Sequence, residues 1–187
     1  MDAAAGRRTE RRLAQTRHAL AGLQAGMTGA FAMILWSALA SAWNRRSFWI
    51  IPNLYATAFY GSRVYVNQFM RGSWSGLATM VVICGVAGMF WGLIWRDQAR
   101  PFMGLMGAVC GLMFYYFLFD FVLRYASPLI PLYAPERQMQ IGYVLWGIAV
   151  ARSPFYSRQI AQAFQGQTAG DGQIATGAEI RSGEVIL

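Results

Sequence analysis

Three stretches of this chain, 19–43, 76–95 and 102–123, are built almost wholly of apolar side chains with hardly a charge among them. An α-helix rises about 1.5 Å per residue and a bilayer's hydrocarbon core is about 30 Å thick, so roughly 20 such residues can cross it. In lipid every backbone N–H and C=O must be satisfied within the segment, which leaves the helix as the form a single apolar run can take. The balance of residues agrees, with 56% hydrophobic and only 13% charged, where soluble domains carry about 45–50% and 25%.

The second and third runs form the arms of a hairpin, Gly76 to Tyr125, around the short polar link Arg96-Asp97-Gln98-Ala99-Arg100-Pro101. Both arms carry one glycine spacing, Gly85, Gly88 and Gly92 in the first and Gly104, Gly107 and Gly111 in the second. On a helix each triplet falls within roughly 60° of arc. Helices in lipid associate by close packing of such small-residue faces, because the hydrophobic effect offers little between them. Taking Gln98 as the turn, equal rise along the arms sets Gly85 opposite Gly111, Gly92 opposite Gly104 and Gly88 near Gly107. The expectation is an antiparallel pair with matched glycine faces, and Gly22, Gly26 and Gly29 suggest that the first helix joins it. Cys84 and Cys110 fall at similar depth by the same rule. Without histidine or carboxylate nearby they do not complete a tetrahedral metal site, and they read as small hydrophobes.

In chain order, residues 1–18 hold Arg7, Arg8, Arg11, Arg12 and Arg17 and read as a basic tail that stays cytoplasmic. A secretory signal is the rival reading, because Ala38-Leu39-Ala40-Ser41-Ala42 offers a small-residue cleavage pattern, but the run exceeds the roughly 7–15 residues of a signal's apolar core. Residues 44–75 mix arginines with aromatics around Pro52 and Asn53, and suit an interfacial or re-entrant segment. Residues 125–138 make a proline-rich loop with Pro128, Pro131 and Pro135. The weaker run 139–156 gives a short or tilted fourth span, with an interfacial helix as its competitor. Residues 157–187, rich in Gln, Gly, Ala and Thr, read as a disordered tail. The fold class is thus an all-α membrane protein with four transmembrane helices. With both termini inside, ten of the sixteen arginines lie on the cytoplasmic side, namely 7, 8, 11, 12, 17, 96, 100, 152, 158 and 181.

The formal charge of +8 would point to nucleic acid in a soluble domain. Here all the basic residues are arginine and bracket the apolar runs, a placement that serves lipid headgroups and topology and leaves no nucleic-acid footprint. His18 is the sole histidine, which rules out a bis-histidine haem site within the chain. No nucleophile elbow, zinc-protease, phosphate-loop or dinucleotide signature is present, so no catalytic residues are assigned. Asp120 is the one acid inside the three long apolar runs, and Arg124 follows one turn later, where a local ion pair is available. With Arg45, Arg46, Arg63 and Arg71 these two make the candidate polar site of the outer face. The aromatic run Phe114-Tyr115-Tyr116-Phe117-Leu118-Phe119 leaves room for a bound lipid, quinone or pigment, although an interfacial belt is the commoner use. No cofactor is otherwise implied.

The order of a Gly/Ala-rich first helix, a long connection, a Gly-rich hairpin, a proline-rich loop and a short last helix, over Ala19 to Tyr156, resembles small bacterial inner-membrane proteins of the YagU-like kind. In that family the last helix carries a histidine shortly before an aromatic-Gly pair. Here Ile141-Gly142-Tyr143-Val144-Leu145-Trp146-Gly147 keeps the pair without the histidine, so the resemblance implies topology alone. Together these features suggest a non-enzymatic subunit that acts by packing, as an accessory or scaffold in a larger bacterial inner-membrane complex or by self-association. A small oligomeric transporter or channel is the alternative, and a membrane enzyme acting on lipid is disfavoured by the lack of clustered acids or histidines.

Overall fold

The computed structural model describes residues 2–95 and 102–162, and among them the chain is built of helices with no β-strand. α1 runs unbroken from Asp2 to Trp43. The arginine-rich stretch before Ala19 is therefore not a separate tail but the first turns of the same helix. Its alanines, arginines, Leu13 and Gln15 are all strong helix formers, with no proline to stop them. α2 (Ile50–Tyr60) and a 3-10 turn (Gly61–Val64) precede α3 (Arg71–Ile94). α4 (Met103–Tyr116) passes without a break into a π-helical stretch, Phe117–Leu123, and then into the short α5 (Arg124–Ala126). α6 (Leu129–Tyr133) and α7 (Glu136–Val150) each follow a proline, and a last helical segment covers 153–162.

Three helices are long and apolar enough to cross a membrane, Arg11–Trp43, Arg71–Ile94 and Met103–Leu123. The fourth expected span is broken: α7 ends at Val150, residues 151–152 turn, and the next helix takes in the first residues of the stretch read as a disordered tail. Residues 163–187 and the link Arg96 to Pro101 lie outside the described residues. Large hydrophobic side chains such as Phe31, Leu35, Val82, Phe90, Leu105 and Met113 point outward along all three long helices. Contiguous apolar surface on this scale belongs against lipid rather than water.

α1 and α7 sit at the centre, antiparallel to each other, with α3 packed on α1 and α4 packed on α7. The glycines set the registers. A Cβ placed on Gly88 would lie 2.6 Å from the Cα of Gly26, one on Gly92 would lie 2.9 Å from the Cα of Gly22, and one on Gly22 would strike the carbonyl of Gly88. On the other side, Gly107 and Gly111 abut the backbone of Gly147 and Tyr143, and a Cβ on Gly29 would lie 2.7 Å from Trp146 Cδ1. The matched hairpin of the sequence reading is thus overturned. Gly85 does not face Gly111, Gly88 does not lie near Gly107, and Gly104 is exposed with nothing within 4 Å of where its Cβ would be. Each small face found a neighbour, but α3 took α1 and α4 took α7, and the two arms make no extended contact. A narrow glycine face allows close approach without choosing the helix that approaches. Gly85 stands at the flank of the α1 contact, against the side chains of Leu23 and Met27.

α2 packs on α3 and against α6. Ile51 through Thr57 are buried, and a Cβ on Gly76 would run into the carbonyl of Pro52, so α2 and α3 touch backbone to backbone. The centre of the segment 44–75 is therefore buried within the bundle, while most of its flanking residues are at the surface. α3 begins at Arg71, five residues ahead of the expected Gly76. The aromatic run of α4 is likewise not a simple belt. Tyr115, Leu118 and Phe119 enter the core beside Tyr143, while Tyr116 and Phe117 face outward.

Candidate functional site

The end of the bundle marked by Trp43 carries a cavity of about 720 Å³ between the C-terminus of α1 and the N-terminus of α7. Its wall is a hydrogen-bonded seam. The Trp36 indole N–H donates to the carbonyl of Gln138 at 3.0 Å, and the Gln138 amide donates to the carbonyl of Ser37 at 3.0 Å and to Ser41 Oγ at 3.4 Å. These bonds tie helices about a hundred residues apart in the chain, while the Ser37 hydroxyl beside them is buried without a hydrogen-bond partner among the described residues.

α1 ends in a defined way. The Arg46 N–H donates to the carbonyl of Ser41 at 2.8 Å, the Arg45 N–H donates to Ala42 at 3.1 Å, and Arg45 sits at φ 52°. This is a helix stop in which a left-handed residue, usually glycine, turns the chain back on the last carbonyls. Arg45 occupies the glycine position, and the turn aims the following residue, Arg46, along the mouth of the cavity. From the other side Pro135 starts α7, placing Glu136 and Arg137 at the same mouth, while Trp36, Leu39 and Ile141 line the apolar part.

Of the six polar residues the sequence singled out, only Arg46 lines this cavity. Arg63 lies in the 3-10 turn and Arg71 opens α3, both exposed, and Arg45 is spent on the turn. Asp120 is exposed within the π-helical stretch, and no hydrogen bond or ion pair joins it to Arg124 among the described residues. The i→i+5 winding across Phe117–Leu123 shifts the i,i+4 register on which that pair depended. Glu136, Arg137 and Gln138 were not among the candidate site residues read from the sequence, which places Glu136 and Arg137 only as charges of the outer face; the signal on offer was a proline followed by three polar residues ahead of an apolar run, the mark of a helix start.

The buried polar groups elsewhere are structural. The Asn53 amide donates to the carbonyls of Val66 at 2.7 Å and Gln68 at 2.9 Å, and its oxygen accepts from the Ser73 hydroxyl, which in turn accepts from the Met70 N–H at 2.9 Å. Thr57 and Ser127 share a hydrogen bond of 3.0 Å, and Tyr55 and Tyr143 one of 3.1 Å. Among the described residues no group of three His, Cys, Asp or Glu side chains is placed to hold a metal ion. Cys84 is buried against α1 and Cys110 is half-buried on α4, on helices that do not pack together. Comparison with protein-family models, with curated proteins and with solved structures finds no match to this chain.

Proposed function

We propose that this is a non-enzymatic polytopic membrane protein that serves as an accessory or scaffold subunit of a larger complex in a bacterial cytoplasmic membrane, with the His18 end of the bundle cytoplasmic. The observation that carries this reading is the reach of α1. Its 42 residues span about 63 Å at the usual rise, twice the hydrocarbon core. Gly92 meets the carbonyl of His18, and beyond that contact α1 continues toward the N-terminus as a helical arm on which Arg8, Arg11, Arg12 and Leu13 are exposed. Arg8, Arg11 and Arg12 occupy about 100° of that arm's circumference, a basic strip suited to an acidic partner surface. The arginine asymmetry supports the same orientation. The YagU-like layout lends it an order of elements.

The bundle consumes its own glycine faces, which leaves the arm as the element available to a partner. Purification in mild detergent tests this. The full chain is expected to hold a stoichiometric partner through size exclusion, and a chain lacking residues 2–15 is expected to lose it while keeping its melting temperature. A full-length monomer with no companion would overturn the proposal.

A second reading, a small oligomeric transporter, draws on Asp120. An exposed carboxylate between the outward-facing Phe117 and Phe121, in a π-helical turn of the kind often found at functional sites, would be better satisfied facing a second copy. Proteoliposome flux that is unchanged by Asp120→Asn would exclude it.

A further inference from the structure

We propose that the cavity at the Trp43 end binds one anionic phospholipid of the adjoining leaflet, its phosphate between Arg46 and Arg137 and the upper part of an acyl chain along Trp36, Leu39 and Ile141. The polarity of the cavity is graded along the helix axes. Arg46, Glu136 and Arg137 lie at the mouth, where both helices end, and the apolar side chains lie one to two turns deeper. That gradient runs the same way as the gradient from headgroup to hydrocarbon in the bilayer beside it. Trp43, 90% exposed at the rim, is the residue type that settles at this boundary.

The charge at the mouth is complementary to a phosphate. Neither Arg46 nor Arg137 has a carboxylate partner among the described residues, and the Glu136 carboxylate accepts a hydrogen bond of 3.1 Å from Gln140, one turn along its own helix. The first amides of α7 have no carbonyl within the helix to bond, and they add the partial positive charge of a helix start to the same place. The volume, about 720 Å³, suits a headgroup and part of one chain, with the rest of the lipid left in the bilayer. The Trp36–Gln138–Ser37 seam fixes the wall in advance, so little ordering is needed on binding.

Native mass spectrometry of the full chain, delipidated and offered mixtures of phosphatidylglycerol and phosphatidylcholine, tests the assignment. One phosphatidylglycerol is expected to be retained in preference by about fivefold or more, the effect of one arginine at an anionic lipid surface. Arg46→Gln with Arg137→Gln should bring the preference to near parity. Ala40→Trp, which fills the apolar part and leaves both arginines, should lower retention of phosphatidylglycerol, and inorganic phosphate should not displace it. Circular dichroism and melting temperature confirm that the variants fold. Equal retention of the two lipids by the wild type, an unchanged preference in the arginine variant, or displacement by phosphate alone would each overturn the lipid site.

Discussion

The hydroxyls of Tyr55 and Tyr143 meet 3.1 Å apart in the interior of the bundle, 88 positions apart in the chain. Tyr143 belongs to a central helix and abuts Gly111 near the middle of the α4 run, so α2 carries Tyr55 well inside. Tyr55→Phe leaves the Tyr143 hydroxyl buried without its partner and should cost about 1–3 kcal/mol. Thermal unfolding in detergent measures it. A Tyr55→Phe/Tyr143→Phe double variant should lose less than the two single losses added, because the orphaned group is gone.

The glycines separate by neighbour rather than by spacing. Gly88→Ala puts a methyl group 2.6 Å from the Cα of Gly26, where only backbone can yield, and should destabilise by about 1–3 kcal/mol. Gly104→Ala meets nothing within 4 Å and should be neutral or gain up to about 1 kcal/mol from helix propensity. Equal melting temperatures for the two variants would reject the α1–α3 contact.

Arg45 holds a left-handed conformation at φ 52° that glycine adopts without strain. Arg45→Gly is therefore expected to stabilise the fold by about 0.5–1 kcal/mol, provided the turn rather than the side chain is what matters there. A lower melting temperature would mean that the Arg45 side chain has a role of its own.

Asn53 holds the loop after α2 through two carbonyls, those of Val66 and Gln68. Asn53→Leu removes both donations and leaves Ser73 without its acceptor, at a cost of about 1–3 kcal/mol. Limited proteolysis should find new cleavage between 61 and 70, and an unaltered digest would count against this loop anchor.

Asp120→Asn should leave stability within about 0.5 kcal/mol, since the exposed carboxylate has no bond to lose among the described residues. A larger fall in melting temperature would reveal a partner for it at an interface between chains.

Much of the site was hidden from sequence because its parts come from opposite ends of the chain. The Arg46 side was legible as one of several outer arginines, but nothing local shows that Ser37 and Gln138 bond, or that Pro135 starts α7 beside the end of α1. The expected Asp120–Arg124 pair failed for a local reason instead: seven residues of π winding displaced a spacing rule that assumes an α-helix.

The sequence by itself determined the three long apolar helices, since run length against bilayer thickness and internal backbone bonding leave no other form. It also marked which helix faces can bear close approach, because a glycine lacks the Cβ that would prevent it. Which face meets which was decided only by the tertiary structure. The spacing of Gly88 suits Gly107 as well as Gly26, and in the structure it meets α1, while α2 packs on α3 with Asn53 satisfied by the loop that follows it and Tyr55 by Tyr143, 88 positions away. Small-residue spacing is a local property, and the satisfaction of buried polar groups is a property of the whole bundle.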